Sequence, residues 1–220
     1  MASIQENITK YREEIPAEVT LVAVSKTKPN EDLLEAYKAG QRIFGENKIQ
    51  EMTDKHEALP KDIEWHMIGH VQSNKVKYMA SYVSLIHAVD KLKLLKEINK
   101  RALEHNRVIN CLLQVKIAEE DSKFGMNAEE VDNILASEAY QNMSNVKIVG
   151  LMGMSTLTED TAQIEKEFSF LKKKFDQVAS TNPDIKILSM GMSGDYQLAI
   201  THGSNMVRIG SSIFGARNYN

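Results

Sequence analysis

The sequence predicts an α/β fold, a (β/α)₈ TIM barrel with an additional N-terminal helix, and three observations support it. Eight short apolar runs recur along the 220 residues, with helical patterns between most of them. Several runs are continuously apolar, which is typical of parallel strands covered on both faces. No long Gly/Ser-rich or Pro-rich linker interrupts the alternation, so a single domain over residues 1–220 is expected.

The predicted strands cover residues 20–24, 42–44, 63–69, 84–89, 108–117, 146–152, 185–190 and 206–209. Helical start and stop signals lie between them. Asn30 is predicted to cap a helix that Gly40 ends in a left-handed conformation. Asn127 and Glu130 resemble a capping box, and residues 164–178 form the clearest amphipathic pattern.

Composition excludes some function classes. The net charge of −3 and the pI near 6.1 argue against a nucleic-acid or anionic-membrane surface. A single cysteine, Cys111, lies in an apolar run and indicates a buried thiol in a reducing compartment. The N-terminus has no signal-peptide core, and no stretch approaches the length of a membrane span. We therefore expect a cytoplasmic protein.

The first strand ends in a lysine, in the stretch "LVAVSKTKPNE" (21–31). Active sites of (β/α)₈ barrels lie at the carboxyl ends of the strands, so Lys26 is expected at the barrel mouth. A partly desolvated lysine there could form a Schiff base with a carbonyl compound. The alternative is a side chain whose stem packs while its ammonium reaches solvent.

Two glycine-containing turns follow the last two strands, "SMGMSGD" (189–195) and "RIGSSIFGAR" (208–217). Turns at these positions often bind phosphate, because glycine lets backbone N–H groups approach an anion. The candidate contacts are Ser193, Gly194, Gly210 and Ser211. The alternative is that they are ordinary turn residues. With Lys26 at the same mouth, a phosphorylated aldehyde is the ligand we expect.

Arg208 lies within the last predicted strand, where an unpaired guanidinium would be costly to bury. It could donate to a ligand in the mouth or form a structural salt bridge with an acid such as Glu46. His66 and His70 are four residues apart in a strand and turn, not on a helix, so no metal site is predicted.

Six ordered motifs together resemble the pyridoxal phosphate homeostasis protein family, also called the proline synthase co-transcribed family. They are "AVSKTKP", "FGENKIQE", "WHMIGHVQSNK", "SKFGM", "LSMGMSGDYQLAI" and "VRIGSSIFGAR". The match extends in order from about residue 20 to residue 217, which is nearly the whole chain. The resemblance implies a barrel of the alanine-racemase N-terminal-domain type that binds pyridoxal 5′-phosphate (PLP).

The resemblance also implies roles for particular residues. Lys26 matches the lysine that holds PLP as an internal aldimine. Arg208 matches the arginine facing the pyridine nitrogen, and Asn47 lies in the "GEN" motif that lines the cofactor. Three positions match phosphate-binding residues, namely Ser193, Gly210 and Ser211.

The implied function is intracellular PLP (vitamin B6) homeostasis without a catalytic cycle. Alanine racemases of this barrel type carry a further β-domain that supplies a catalytic tyrosine to a dimer, and this sequence ends at Asn220, just after the eighth βα unit. A monomer is expected, with PLP-dependent apoenzymes as candidate transient partners. The alternatives are a single-domain PLP-dependent racemase or decarboxylase, and a barrel lyase or aldolase without PLP.

Three positions depart from the usual family pattern. Ala88 stands where serine is common, Lys116 where asparagine is common, and Asn205 where threonine is common. None of the three removes a proposed PLP contact. Lys116 is expected to add positive charge near the mouth.

Overall fold

The computed structural model describes residues 2–120 and 124–215. Its strands are β1 (Thr20–Val24), β2 (Ile43–Glu46), β3 (Glu64–Met67), β4 (Leu85–Val89), β5 (Ile109–Gln114), β6 (Val146–Met152), β7 (Ile187–Met192) and β8 (Met206–Ile209). All are parallel and follow one another around a closed barrel in which β8 pairs with β1. The predicted barrel is therefore confirmed. Residues 122–123 of "SKFGM" and 216–217 of "VRIGSSIFGAR" lie outside the described residues.

Helices surround the barrel. They are α1 (Ile4–Glu14), α2 (Asn30–Lys38), α3 (Ile49–Ala58), a 3₁₀ helix (Ser73–Tyr78), α4 (Leu92–Glu104), α5 (Ala128–Ala136), α6 (Glu138–Gln141), α7 (Thr161–Ala179), α8 (Tyr196–Thr201) and α9 (Ser211–Phe214). α1 is the additional N-terminal helix. Among the described helices, none combines the length and apolar character that a bilayer crossing requires.

The local signals in the sequence mostly act as predicted. Asn127 and Glu130 form a complete capping box at the start of α5. Gly40, at φ = +92°, follows the end of α2 in the left-handed region that glycine adopts without strain. The prediction for Asn30 was wrong by one position: Pro29 is the N-cap and Asn30 is the first helical residue. Proline fixes φ in the range required there, so it can start the helix without a side-chain cap.

Two apolar clusters form the core. The larger one lies between the strands and the helices and includes Phe44, Trp65 and Phe168, all fully buried. The smaller one consists of strand side chains, namely Val22, Leu85, Ala88, Leu112, Val149, Met152 and Met206. Because these residues come from strands on different sides of a closed barrel, they meet in the barrel interior.

The N-terminal helix packs beside the last elements of the chain. The Asn7 side chain donates to the carbonyl of Ile213 in α9 at 3.0 Å. The Tyr11 ring meets the Tyr196 ring of α8 edge-on, with 5.6 Å between centroids. Both contacts hold α1 against the segment that follows β7 and β8.

Gly150 in β6 offers a sharp test of the barrel packing. A Cβ at this position would lie 1.8 Å from the backbone oxygen of Ile187 on β7. We expect Gly150→Ala to lower the free energy of unfolding by about 1–3 kcal/mol, because the two strands must separate. The matched control is Gly194→Ala, where no described atom lies within 4 Å of the added Cβ. Chemical denaturation measures both variants, and equal stabilities would contradict the prediction.

Candidate functional site

A cavity of about 380 Å³ lies at the carboxyl ends of the strands. This volume is within the range of small-molecule sites, about 300–1,000 Å³. Its lining residues are Val24, Lys26, Lys28, Asn47, Ile68, Met154, Leu157, Met192, Ser193, Gly194, Arg208, Gly210, Ser211 and Gly215. All six site residues predicted from the sequence are among them. The structure therefore brings together residues separated by up to 185 positions, from Lys26 to Ser211.

Lys26 is the second residue after β1 and is half-buried in the cavity wall. The next residue, Thr27, has φ = +62°, an uncommon conformation for a β-branched residue. Lys28, two residues after Lys26, donates from its ammonium to the carbonyl of Phe214 at 2.8 Å. This bond ties the first loop of the barrel to the last helix beside the site.

Asn47 follows β2 and lies against Gly69, which follows β3. A Cβ at Gly69 would come within 2.4 Å of the Asn47 carbonyl oxygen and 2.7 Å of its Cα. Only glycine leaves room for this close backbone approach. Gly69 thus positions Asn47 in the cavity wall.

The two glycine-containing turns meet across the cavity. The Gly210 N–H donates to Ser193 Oγ at 3.3 Å, and the Ser211 hydroxyl lies 3.4 Å from the same oxygen. Gly194 has open space where a side chain would be. The hydroxyls of the two serines, with open space beside them, form a polar end of the cavity that suits an oxyanion.

Arg208 adds a buried positive charge to the cavity wall. Its guanidinium donates to Ser189 Oγ at 2.6 Å and to the Gly153 carbonyl at 3.0 Å. Both acceptors are neutral oxygens. Burial lowers the pKa of Arg208 to about 10, so the side chain stays protonated at neutral pH.

The alternative of an Arg208–Glu46 salt bridge is wrong. Glu46 is fully buried and pairs with Lys55 of α3, with 2.8 Å between Nζ and Oε1. Its Oε1 also accepts the Ser25 hydroxyl at 2.6 Å. Since β2 and α3 are consecutive in the chain, the partner of this carboxylate is a nearby lysine and not the distant Arg208.

A chain of polar groups extends from Arg208 into the barrel interior. Ser189 Oγ lies 3.1 Å from His87 Nδ1, and His87 Nε2 lies 3.0 Å from His66 Nδ1. Burial lowers the pKa of His66 to about 3. Burial together with His66 and Arg208 holds the pKa of His87 well below 6.5. Both histidines are therefore neutral at pH 7.

This buried chain was missed in the sequence. In the sequence, the spacing relates His66 only to His70, four residues further along. Parallel pairing of β3 with β4 instead places it against His87, 21 residues further along. Within residues 2–120 and 124–215, no cluster of three His, Cys, Asp or Glu side chains is placed to hold a metal ion.

Several cavity residues were also missed, namely Lys28, Ile68, Met154, Leu157 and Met192. Lys28 had a signal, because it follows β1 as Lys26 does. The apolar residues had none that separates them from core residues, since each continues or follows an apolar strand.

The three departures from the family pattern are not among the residues that line the cavity. Ala88 packs in the barrel interior and is 1% exposed. The Asn205 side chain accepts from the Leu188 N–H at 2.8 Å and donates to the Lys186 carbonyl at 2.7 Å, at the amino end of β8. Lys116 is half-buried after β5 and does not line the cavity described above.

The fold and its mouth site define a class of protein, the alanine racemase N-terminal domain, whose family model matches residues 1–218. The pyridoxal phosphate homeostasis protein of Pasteurella multocida is 39% identical over 227 residues, covering 100% of this chain and 97% of that protein. The protein of the same name from Escherichia coli K12 is 36% identical over 233 residues, covering 100% of this chain and 99% of that one.

The chain is also similar to a solved structure over nearly its whole length. PipY of Synechococcus elongatus PCC7942, with PLP bound, is 32% identical and has a TM-score of 0.88, covering 97% of this chain and 100% of that chain. The chain belongs to the pyridoxal phosphate homeostasis protein family.

Proposed function

We propose that the chain binds PLP in the mouth cavity and serves intracellular PLP homeostasis as a non-catalytic carrier. The observation that carries the proposal is that Lys26, Arg208 and the Ser193–Gly210–Ser211 group line one cavity. Relatives over the full length are named for PLP homeostasis, and the similar PipY structure has PLP bound.

The residues of the cavity fit the three chemical parts of PLP. The Lys26 amine would hold the aldehyde carbon covalently as a Schiff base, and the hydroxyls of Ser193 and Ser211 would bind the phosphate beside Gly210. Arg208 would face the ring nitrogen, and Asn47 would complete the wall. Bound PLP supplies an electrophilic aldehyde and an electron-withdrawing ring.

Arg208 favours a carrier over a catalyst. A guanidinium with a pKa near 10 does not transfer its proton to a pyridine nitrogen at neutral pH. An unprotonated ring withdraws electrons weakly, so the site is suited to holding PLP more than to stabilising a carbanion. Turnover of an amino acid by the wild type, lost in Lys26→Ala, would contradict this part of the proposal and favour a racemase.

The proposal includes a single barrel domain, a monomer and the cytoplasm as its compartment. It also includes transient transfer of PLP to apoenzymes. Cys111 is fully buried, and burial raises the pKa of its thiol, which keeps it protonated and unreactive. A chain with such a cysteine suits a reducing compartment.

Borohydride trapping tests the proposed site. Reduction of the PLP-loaded protein should fix a pyridoxyl phosphate mass on the peptide that contains Lys26, and Lys26→Ala should abolish both the mass and the visible absorbance. Lys38→Ala, an exposed lysine in α2, is the matched control and should retain both. A wild type that takes up no PLP would end the proposal. A trapped sugar phosphate would favour the aldolase alternative.

A further inference from the structure

The backbone around Lys26 is held in an unusual conformation. Thr27 has φ = +62°, in the left-handed region where a β-branched side chain crowds the backbone. Such a conformation persists only when surrounding contacts impose it. Lys26 is the residue immediately before this point, so those contacts also determine where its side chain begins.

One helix supplies the contacts on both sides of Lys26. On the far side, the Thr27 N–H donates to Glu51 Oε1 at 2.6 Å. On the near side, the Ser25 carbonyl accepts from the Lys55 ammonium at 2.8 Å. Glu51 and Lys55 are four residues apart in α3 and therefore share one face of the helix.

Glu51 and Lys55 join Glu46 in a cluster, here called the Glu46–Lys55–Glu51 cluster. The Lys55 ammonium lies 2.8 Å from Glu46 Oε1 and 2.8 Å from Glu51 Oε1. With the Ser25 carbonyl, these acceptors use all three of its N–H donors. The Lys55 and Glu46 side chains are 6% and 0% exposed, while Glu51 is 23% exposed.

The cluster orders the groups around it through directed hydrogen bonds. A buried ion pair seldom adds net stability, because desolvation offsets the attraction. In this cluster the Lys55 ammonium donates to three particular oxygens, which restricts the geometry of the segments that carry them. Here the contacted groups are the carbonyl of Ser25, the hydroxyl of Ser25 and the N–H of Thr27. These groups enclose Lys26 in the chain, and Lys26 lines the cavity.

We infer that Glu51 is a positioning residue for Lys26: through the Thr27 N–H and Lys55 it holds the Lys26 backbone so that the amine is directed at the ligand carbonyl. The inference rests on the proposed function, because it concerns how the PLP-binding lysine is presented. Glu51 is not among the residues that line the cavity, so its effect on Lys26 passes through the Thr27 N–H and Lys55.

The test compares three variants of α3. Glu51→Ala removes the acceptor of the Thr27 N–H, while Glu51→Gln keeps an oxygen that can accept it. Glu57→Ala removes an exposed carboxylate from another part of the same helix and is the matched control. Each variant is titrated with PLP by visible absorbance, its Thr27 amide exchange is measured by NMR, and its thermal unfolding midpoint is recorded.

We expect Glu51→Ala to weaken PLP binding about tenfold, the effect of leaving one additional segment to be ordered on binding. Thr27 amide exchange should accelerate in the same variant, since its charged acceptor is lost. Glu51→Gln should recover most of the affinity, and Glu57→Ala should match the wild type.

Three outcomes overturn the inference. If Glu51→Ala binds PLP with the affinity of the wild type, Glu51 has no positioning role, although Lys26 still binds PLP. A lower unfolding midpoint with unchanged affinity and unchanged Thr27 exchange would reduce Glu51 to a stabilising residue. A wild type without PLP uptake would end the proposed function and this inference together, and that outcome is recognised before any variant is made.

Discussion

Lys55→Met is expected to lower the free energy of unfolding by about 3–5 kcal/mol, the usual cost of removing one partner from a buried ion pair. Glu46 is fully buried, and Lys55 is its charged partner at 2.8 Å. Burial already raises the pKa of Glu46, and its Oε2 has no hydrogen-bond partner among the described residues. Without Lys55, the carboxyl group must either bear an uncompensated charge or take up a proton.

Chemical denaturation at pH 7 measures the loss, and a surface pair provides the control. Lys172 and Asp176 form an ion pair four residues apart on α7, and their side chains are 36% and 58% exposed. Lys172→Met should therefore cost about 0–1 kcal/mol. Adding Glu46→Gln to Lys55→Met should recover part of the stability, because the buried charge is then absent. Equal losses in the two single variants would show that burial of the Lys55 pair is unimportant.

Acidification is expected to destabilise the protein through its two interior histidines. In the unfolded chain a histidine titrates near pH 6.5. In the folded barrel, burial lowers the pKa of His66 to about 3 and that of His87 well below 6.5. Between these values the unfolded state binds more protons, so the free energy of unfolding is fully retained above pH 6.5 and falls as the pH drops below it.

The expected loss from His66 is at most about 1.4 kcal/mol per pH unit, or about 2 kcal/mol between pH 6.5 and pH 5, and His87 adds a loss of the same sign. Glu46 acts in the opposite direction, because burial raises the pKa of this carboxyl and protonation favours the folded state. The informative quantity is therefore the difference between the wild type and His87→Gln, which cannot titrate.

Denaturation curves at pH 7, 6 and 5 provide the measurement. His87→Gln should show a shallower loss of stability between pH 6.5 and 5 than the wild type. His105→Gln, which changes an exposed histidine after α4, should follow the wild-type curve. Parallel curves for all three proteins would mean that the interior histidines do not resist protonation.

The sequence predicts the barrel well because hydrophobicity and pairing coincide along most of each strand. At the barrel mouth, apolar residues continue beyond the last residue that pairs with a neighbouring strand. The predicted third strand extends from 63 to 69, whereas β3 ends at Met67. Ile68 and Gly69 remain apolar because one lines the cavity and the other packs on Asn47. Apolar residues that belong to the site therefore make a neighbouring strand look longer in the sequence than it is in the structure.

The sequence predicts the polar residues that line the candidate site, but not the buried residues that contact them. Lys26 and Arg208 stand out because each interrupts or ends an apolar run. His87 and Ser189 are 102 residues apart and meet only through the barrel interior. No local pattern encodes that contact, since it depends on closure of the whole sheet.

Closure has a consequence for biosynthesis. The cavity takes Lys26 from the first strand and Arg208 from the last, and the sheet becomes continuous only when β8 pairs with β1. A ribosome must therefore complete nearly the whole barrel before the two residues can meet, and every nascent chain shorter than that lacks the pocket. Under the proposed function, the visible absorbance of bound PLP in a translation reaction would therefore report only completed barrels.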